Sequence, residues 1–227
     1  IAAKISGLQK VIYTSSMYVC KPGLVPADYD TYTAHTVYGE SKVQMELLVK
    51  AINDATYTWS LIRPTSIWGP WFGPPYIDFF KTVYQKKYVS FSKACTKTYG
   101  FVDNTVFQIM GLLKAEKNKV HKKVFYLGDL PPIQIAEWGN EISIAMNLGR
   151  IKKVPFSVLK SAALVGDGLS IMGIQFPLTS FRLSNMTTNN VLPLEDIYRV
   201  TGKPPISRID GVRKTLDWLA QYKEYKF

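Results

Sequence analysis

The chain has 227 residues, 47% of them hydrophobic, which is enough to bury a core for one domain or a domain with a small lobe. Its 28 Lys+Arg against 17 Asp+Glu give a formal net charge of +11, a balance that attracts anions; the basic residues are spread along the chain and form no single stripe interleaved with stacking aromatics, so nucleic acid is not an expected partner. Two cysteines (Cys20, Cys95) and two histidines (His35, His121) without ligand spacing argue against a disulfide framework and against a metal centre.

In chain order, the opening residues Ile1 to Gly7 read as the end of a helix. Val11 to Thr14 is a short apolar strand of the kind buried in parallel sheets, and it runs into Ser15-Ser16. Lys21 to Thr36 is a Pro/Gly-punctuated loop. A helix follows from about Val37 to Asn53, with Met45, Leu48, Val49 and Ile52 as its expected inner stripe. Tyr57 to Arg63 is the next strand, and Pro64 and Pro70 flank a loop. Tyr76 to Lys87 reads as helix, Phe101 to Glu116 as a strand end and helix, Lys123 to Leu127 as strand, and Ile135 to Leu148 as helix. This alternation predicts an α/β domain with a parallel sheet over 1–150. From 151 to 227 the chain is helix-rich, with segments at Pro155 to Gly173, Leu194 to Gly202 and Asp210 to Tyr225. Lys160, Asp167 and three glycines interrupt the apolar stretch Val154 to Phe176, so it reads as a core-packing or lid helix and no membrane is expected. Without a signal peptide the expected location is the cytoplasm.

Tyr38-Gly39-Glu40-Ser41-Lys42 carries the chemistry. A tyrosine and a lysine four apart project from one helix face, and the ammonium favours phenolate, making the tyrosine a usable acid/base near neutral pH. A serine at the end of the Val11 strand can hydrogen-bond the same substrate oxygen. Together these suit moving a proton on a hydroxyl while a hydride leaves its carbon.

Ser15-Ser16, then Tyr38 to Lys42, then Leu61-Ile62-Arg63-Pro64-Thr65-Ser66-Ile67-Trp68-Gly69-Pro70 together resemble the extended short-chain dehydrogenase/reductase family, in particular its NAD-dependent nucleotide-sugar epimerases and dehydratases. Tyr99 to Asn104 looks like the family's late substrate-side strand, Tyr126-Leu127-Gly128 is similar to its Asn-x-Gly turn, and Gly202 to Trp218 resembles its closing helix. The resemblance implies the C-terminal part of a Rossmann-like doubly wound sheet, followed by a small helix-rich substrate lobe. The family's Gly-rich strand-to-helix turn occurs nowhere in the sequence, so the chain reads as a portion of a longer enzyme that uses NAD or NADP, and is expected to be inactive alone.

The same resemblance implies the roles. Ser16 and Tyr38 would be catalytic with Lys42, and Lys42 would also hold the nicotinamide ribose. Pro64 and Thr65 fall at the nicotinamide end of the cofactor. Ser66 stands where many epimerases carry a substrate-binding asparagine, and Lys97 where an arginine commonly binds phosphate, without that residue's bidentate fork. Met17-Tyr18 replaces the Asp-Glu pair of the 4,6-dehydratases, which disfavours that chemistry. There remain a nucleotide-sugar epimerase or reductase, a 3β-hydroxysteroid dehydrogenase-like oxidoreductase on a non-sugar alcohol, and an inert binding module left by truncation. A homodimer through the Val37 to Asn53 and Tyr76 to Lys87 helices is the expected assembly.

Overall fold

The computed structural model describes residues 7–52, 56–91, 95–174, 176 and 178–222. The expected helix end at residues 1–6, the last expected residue of the Tyr38 helix (Asn53) and the last turn of the closing helix (223–225) lie outside them. In chain order the elements begin with β1 (Lys10–Thr14), a 3₁₀ turn (Met17–Val19), α1 (Val37–Lys50), β2 (Thr58–Pro64), β3 (Ser66–Trp68) and α2 (Tyr76–Tyr84). Next come β4 (Ser90–Phe91), β5 (Thr96–Lys97), β6 (Tyr99–Phe101), α3 (Val102–Lys114), α4 (Lys117–Val120) and β7 (Lys123–Leu127). The remainder is β8 (Ile133–Gln134), α5 (Ile135–Ala145), β9 (Lys153–Val154), α6 (Phe156–Ile171), α7 (Ser180–Thr187), α8 (Glu195–Thr201) and α9 (Arg208–Tyr222).

These elements gather into two compact units: the first holds the chain up to Gly69 with Thr98–Pro132 and Asn190–Gly211, the second Pro70–Lys97, Ile133–Asn189 and Val212 onward. The first unit is built on a parallel sheet of order β1-β2-β7, with Val11 opposite Trp59 and Ser60 opposite Lys123. β2 lies between two neighbours, and its residues from Thr58 to Arg63 are buried. Alternate side chains therefore serve opposite faces. Trp59 and Leu61 pack with Val49 of α1, while Ile62 and Phe125 pack with Leu112 of α3 and with Leu194 and Ile197 at α8. A parallel sheet with helices on both faces aligns its strand ends, so Ser15, Thr65 and Gly128 all emerge past the carboxyl ends of β1, β2 and β7. β3 and β6 form a second short parallel pair, with Ser66 opposite Tyr99.

The second unit is tied by aromatic rings. Phe79 stacks on Trp138 at 5.1 Å, linking α2 to α5, and Phe80 meets Trp138 edge-on at 5.6 Å. Phe72 touches both Phe80 (5.3 Å) and Trp218 (5.9 Å), and Trp71 lies 5.6 Å from Trp218 and 5.2 Å from Tyr222. α6 packs Leu159 and Ala163 against Phe91 and Leu183. Gly166 permits that packing, because a Cβ there would run into the Leu178 carbonyl oxygen.

Two expectations need correction. Leu48 of α1 does not face inward; it is 74% exposed, and the buried positions are Gly39, Val43, Glu46 and Val49. α7 falls where the sequence pattern predicts no helix, and Thr179 caps it by accepting a hydrogen bond from the Arg182 amide.

Candidate functional site

The strand β1 runs on into two serines with different surroundings. Ser15 is 2% exposed, its amide donates to the Ile62 carbonyl at 2.7 Å, and its hydroxyl stands beside the Glu46 carboxylate without a hydrogen bond of ordinary geometry. Ser16, extended at φ −155°, caps the 3₁₀ turn by accepting from the Tyr18 amide at 3.2 Å. That bond uses a lone pair and leaves the hydroxyl proton of the largely buried Ser16 uncommitted to it.

α1 begins at Thr36, whose hydroxyl accepts from the Gly39 amide at 3.0 Å. Gly39 faces the 3₁₀ turn so closely that a Cβ would collide with the Tyr18 carbonyl oxygen. The flanking positions carry Tyr38, 54% exposed, and Lys42, half-buried one turn on. Lys42 Nζ donates to the Thr14 carbonyl at 3.1 Å and lies 5.7 Å from the Tyr38 ring centroid. The Tyr18 ring meets Tyr38 edge-on at 6.5 Å. Burial, and after it the neighbouring Tyr38, pushes the Tyr18 hydroxyl up.

Beneath this face is a buried ion pair that the sequence reading missed. Arg63 and Glu46 are both wholly buried; Nε donates to Oε1 at 2.9 Å and Nη2 to Oε2 at 2.8 Å, a bidentate arrangement. Arg63 also donates to the Tyr126 hydroxyl (3.1 Å) and the Tyr29 carbonyl (2.8 Å). Burial alone would raise the Glu46 carboxyl, but the Arg63 hydrogen bonds and charge outweigh it, and the net shift is downward. Lys50 extends the network to Asp30 (2.6 Å), the Tyr29 carbonyl (3.1 Å) and the Tyr32 hydroxyl (2.8 Å), and Tyr32 donates to Glu46 at 3.0 Å. The loop before α1 is thereby clamped to the helix and to β2. One signal was available: an arginine in an otherwise uncharged central strand demands a carboxylate, and Glu46 shares the Gly39-Val43 face at helical spacing.

At the end of β2, Pro64 is paired with Leu127, and Thr65 directs both its amide (3.1 Å) and its hydroxyl (2.8 Å) to the Leu127 carbonyl. The Thr65 hydroxyl proton is thus engaged by the sheet. Ser66 is 6% exposed at the start of β3. Lys97 belongs to the second unit, on β5 opposite Ile133 of β8. Past β7, Asp129 accepts from the Phe101 amide at 2.6 Å and Asn104 Nδ2 at 2.9 Å; burial nevertheless pushes its carboxyl up to about 6. Among the described residues, no group of three or more His, Cys, Asp or Glu is gathered as a metal would require.

No protein-family model matches the chain, and no curated protein does. Solved structures do. The protein gox2253 aligns with a TM-score of 0.71 at 20% identity, covering 99% of this chain and 70% of that one. An epimerase from Methanothermobacter thermautotrophicus aligns with a TM-score of 0.68 at 17% identity, covering 98% and 62%. The UDP-glucuronic acid 4-epimerase of Bacillus cereus, solved with NAD, aligns with a TM-score of 0.65 at 17% identity, covering 97% and 64%. At these identities the likeness is one of fold: a Rossmann-like α/β arrangement, of which this chain spans less than two thirds of the length of both epimerases.

Proposed function

We propose that this chain carries the proton-transfer site of an NAD(P)-dependent oxidoreductase of the nucleotide-sugar epimerase or reductase type, with Ser16, Tyr38 and Lys42 as its working residues. The observation that carries the reading is the juxtaposition of Tyr38 and Lys42 on the outward face of α1, with Lys42 hydrogen-bonded to the carbonyl immediately before the two serines. The likeness to epimerase structures supports the same reading at the level of fold.

The residues fit a nicotinamide ribose. The Lys42 ammonium donates once, to Thr14, and two of its N–H groups remain for ribose hydroxyls. Pro64 and Thr65 would shape the pocket wall rather than bond the cofactor, since the Thr65 hydroxyl already serves Leu127. When bound, the nicotinamide would accept or return a hydride. Ser16 would donate to the substrate oxygen and orient it, and Tyr38 would take or give the proton on that oxygen. Lys42 would hold the ribose and place its positive charge beside the phenol. Ser66 and Lys97 are the proposed substrate contacts, Lys97 acting as a point charge for phosphate. The exposed apolar side chains Val37, Leu47 and Leu48 on α1 support a homodimer through that helix.

A sterol-like alcohol is the second reading; Ser66 in place of an asparagine favours it. The test is hydride transfer by the full-length protein, followed as nicotinamide absorbance or as epimer interconversion by NMR, on UDP-, GDP- and dTDP-sugars and a sterol. Tyr38→Phe is expected to lower turnover by about two to four orders of magnitude without loss of fold. Lys42→Met is expected to weaken cofactor binding as well, and Ser16→Ala to cost less than Tyr38→Phe. A Tyr38→Phe protein with undiminished turnover would remove this mechanism.

A further inference from the structure

The second unit contains a helix whose two faces are both apolar, and among the described residues only one of them is covered. On α6 the covered face is Leu159, Ala163 and Gly166, packed toward Phe91, Leu178 and Leu183. On a helical wheel the opposite face is Ser161, Leu164, Val165, Gly168, Ile171 and Met172. Leu164 and Val165 are 60% and 58% exposed, Ile171 and Met172 89% and 74%, and Ile174, just beyond the helix, is 49% exposed. The expectation of a core-packing helix therefore holds for one face only. Single exposed apolar residues are ordinary, but a contiguous set along the distal half of one helix is not.

Charge indicates what covers this face. Arg150, Lys152 and Lys153 lie immediately before the helix and Lys160 on its flank, all exposed. From Met146 to Asn189 the chain carries five basic residues and one carboxylate, Asp167, which already accepts from the Ser180 amide. A basic entry followed by an apolar outward face is the pattern of a helix that lies in a membrane interface, its lysines on anionic headgroups and its apolar side chains among the upper acyl chains. A chain of net charge +11 is attracted to such a surface. Sixteen residues rise about 24 Å, short of a hydrocarbon core, and among the described residues no helix is long and apolar enough to cross one.

We propose that the outward face of α6 docks the protein on the surface of an anionic bilayer without spanning it. The test is sedimentation of the 227-residue chain with phosphatidylcholine vesicles, with and without phosphatidylserine. Binding is expected to the phosphatidylserine vesicles, to weaken as salt is raised, and to be much poorer on phosphatidylcholine alone. Ile171→Glu and Leu164→Glu, at exposed positions, are each expected to lower partitioning about tenfold or more with unchanged circular dichroism. Lys152→Gln is expected to lower it about fivefold. Failure to sediment with phosphatidylserine vesicles at low salt would overturn the proposal. So would a concentration-dependent dimer that Ile171→Glu converts to monomer, since the face would then belong to a second copy.

Discussion

Glu46→Gln isolates the buried ion pair, because it keeps the side-chain shape while removing the charge that Arg63 was placed to meet. In the native chain the guanidinium directs two hydrogen bonds to Glu46, one to Tyr126 and one to the Tyr29 carbonyl, with neither charged side chain exposed to water. The substitution leaves a buried cation facing a neutral amide whose NH₂ presents protons to it. Breaking such a pair from one side costs about 3–5 kcal/mol, a large share of the roughly 5–15 kcal/mol that holds a domain folded. For a chain of this size that corresponds to a fall in melting temperature of about 10 °C. The double variant Glu46→Leu with Arg63→Met removes both charges and should recover most of the loss, since an apolar pair of similar volume needs no desolvated charge. The assay is thermal and urea unfolding followed by tryptophan fluorescence. The pH dependence has a definite sign: the Glu46 carboxyl is held low in the folded state, so its stabilisation is complete above the ordinary carboxylate range and is lost as pH falls through the folded value. The difference between parent and Glu46→Gln should accordingly shrink in acid. A Glu46→Gln chain that melts with the parent at neutral pH, or a double variant as unstable as the single, would refute the reasoning.

Asp129 should behave in the opposite sense. Its carboxyl is raised from 3.8 to about 6 by burial, so the folded state holds its proton more tightly, and its contribution to stability is greatest below the unfolded value and declines as pH rises from 3.8 through 6. Carboxyl-carbon NMR should find an Asp titrating near 6 that Asp129→Asn removes. Gly39→Ala should destabilise by about 1–3 kcal/mol in urea unfolding despite alanine's better helix propensity, since the new methyl meets the Tyr18 carbonyl; a stabilised variant would show that the turn yields. Calorimetry of the 227-residue chain with NAD and NADP should find nothing tighter than about millimolar, because the sequence has no Gly-rich turn to hold a pyrophosphate. Micromolar binding would mean that the cofactor contacts lie elsewhere.

The parallel sheet was legible because its strands are short apolar runs ended by turn residues: Lys123 to Leu127 was bounded to the residue, and Val11 to Thr14 lacks only Lys10. Tyr38 and Lys42 were legible because helical spacing fixes a shared face. The inner stripe of α1 was misjudged because hydrophobicity was used to choose it, and the true inner face includes a glutamate whose partner lies on a strand seventeen positions later. The only sign of it is the buried charge that Arg63 brings to a central strand, which calls for a carboxylate without saying where in the chain it lies. α7 was overlooked because Ser180 to Thr187 has little apolar periodicity to mark it, and its cap, Thr179, is a residue type equally at home in loops.

The ring contacts of the second unit have an optical consequence. Trp71 and Trp218, with centroids 5.6 Å apart, are close enough for their indole transitions to couple, and Tyr222 at 5.2 Å from Trp71 can pass its excitation to the pair. Trp218 and Tyr222 ride on α9, whereas Trp71 sits on the chain before α2. The near-ultraviolet dichroism of this triad therefore reports whether the closing helix is seated, and Trp71→Phe would silence that signal while leaving the other four tryptophans to report on the rest of the fold.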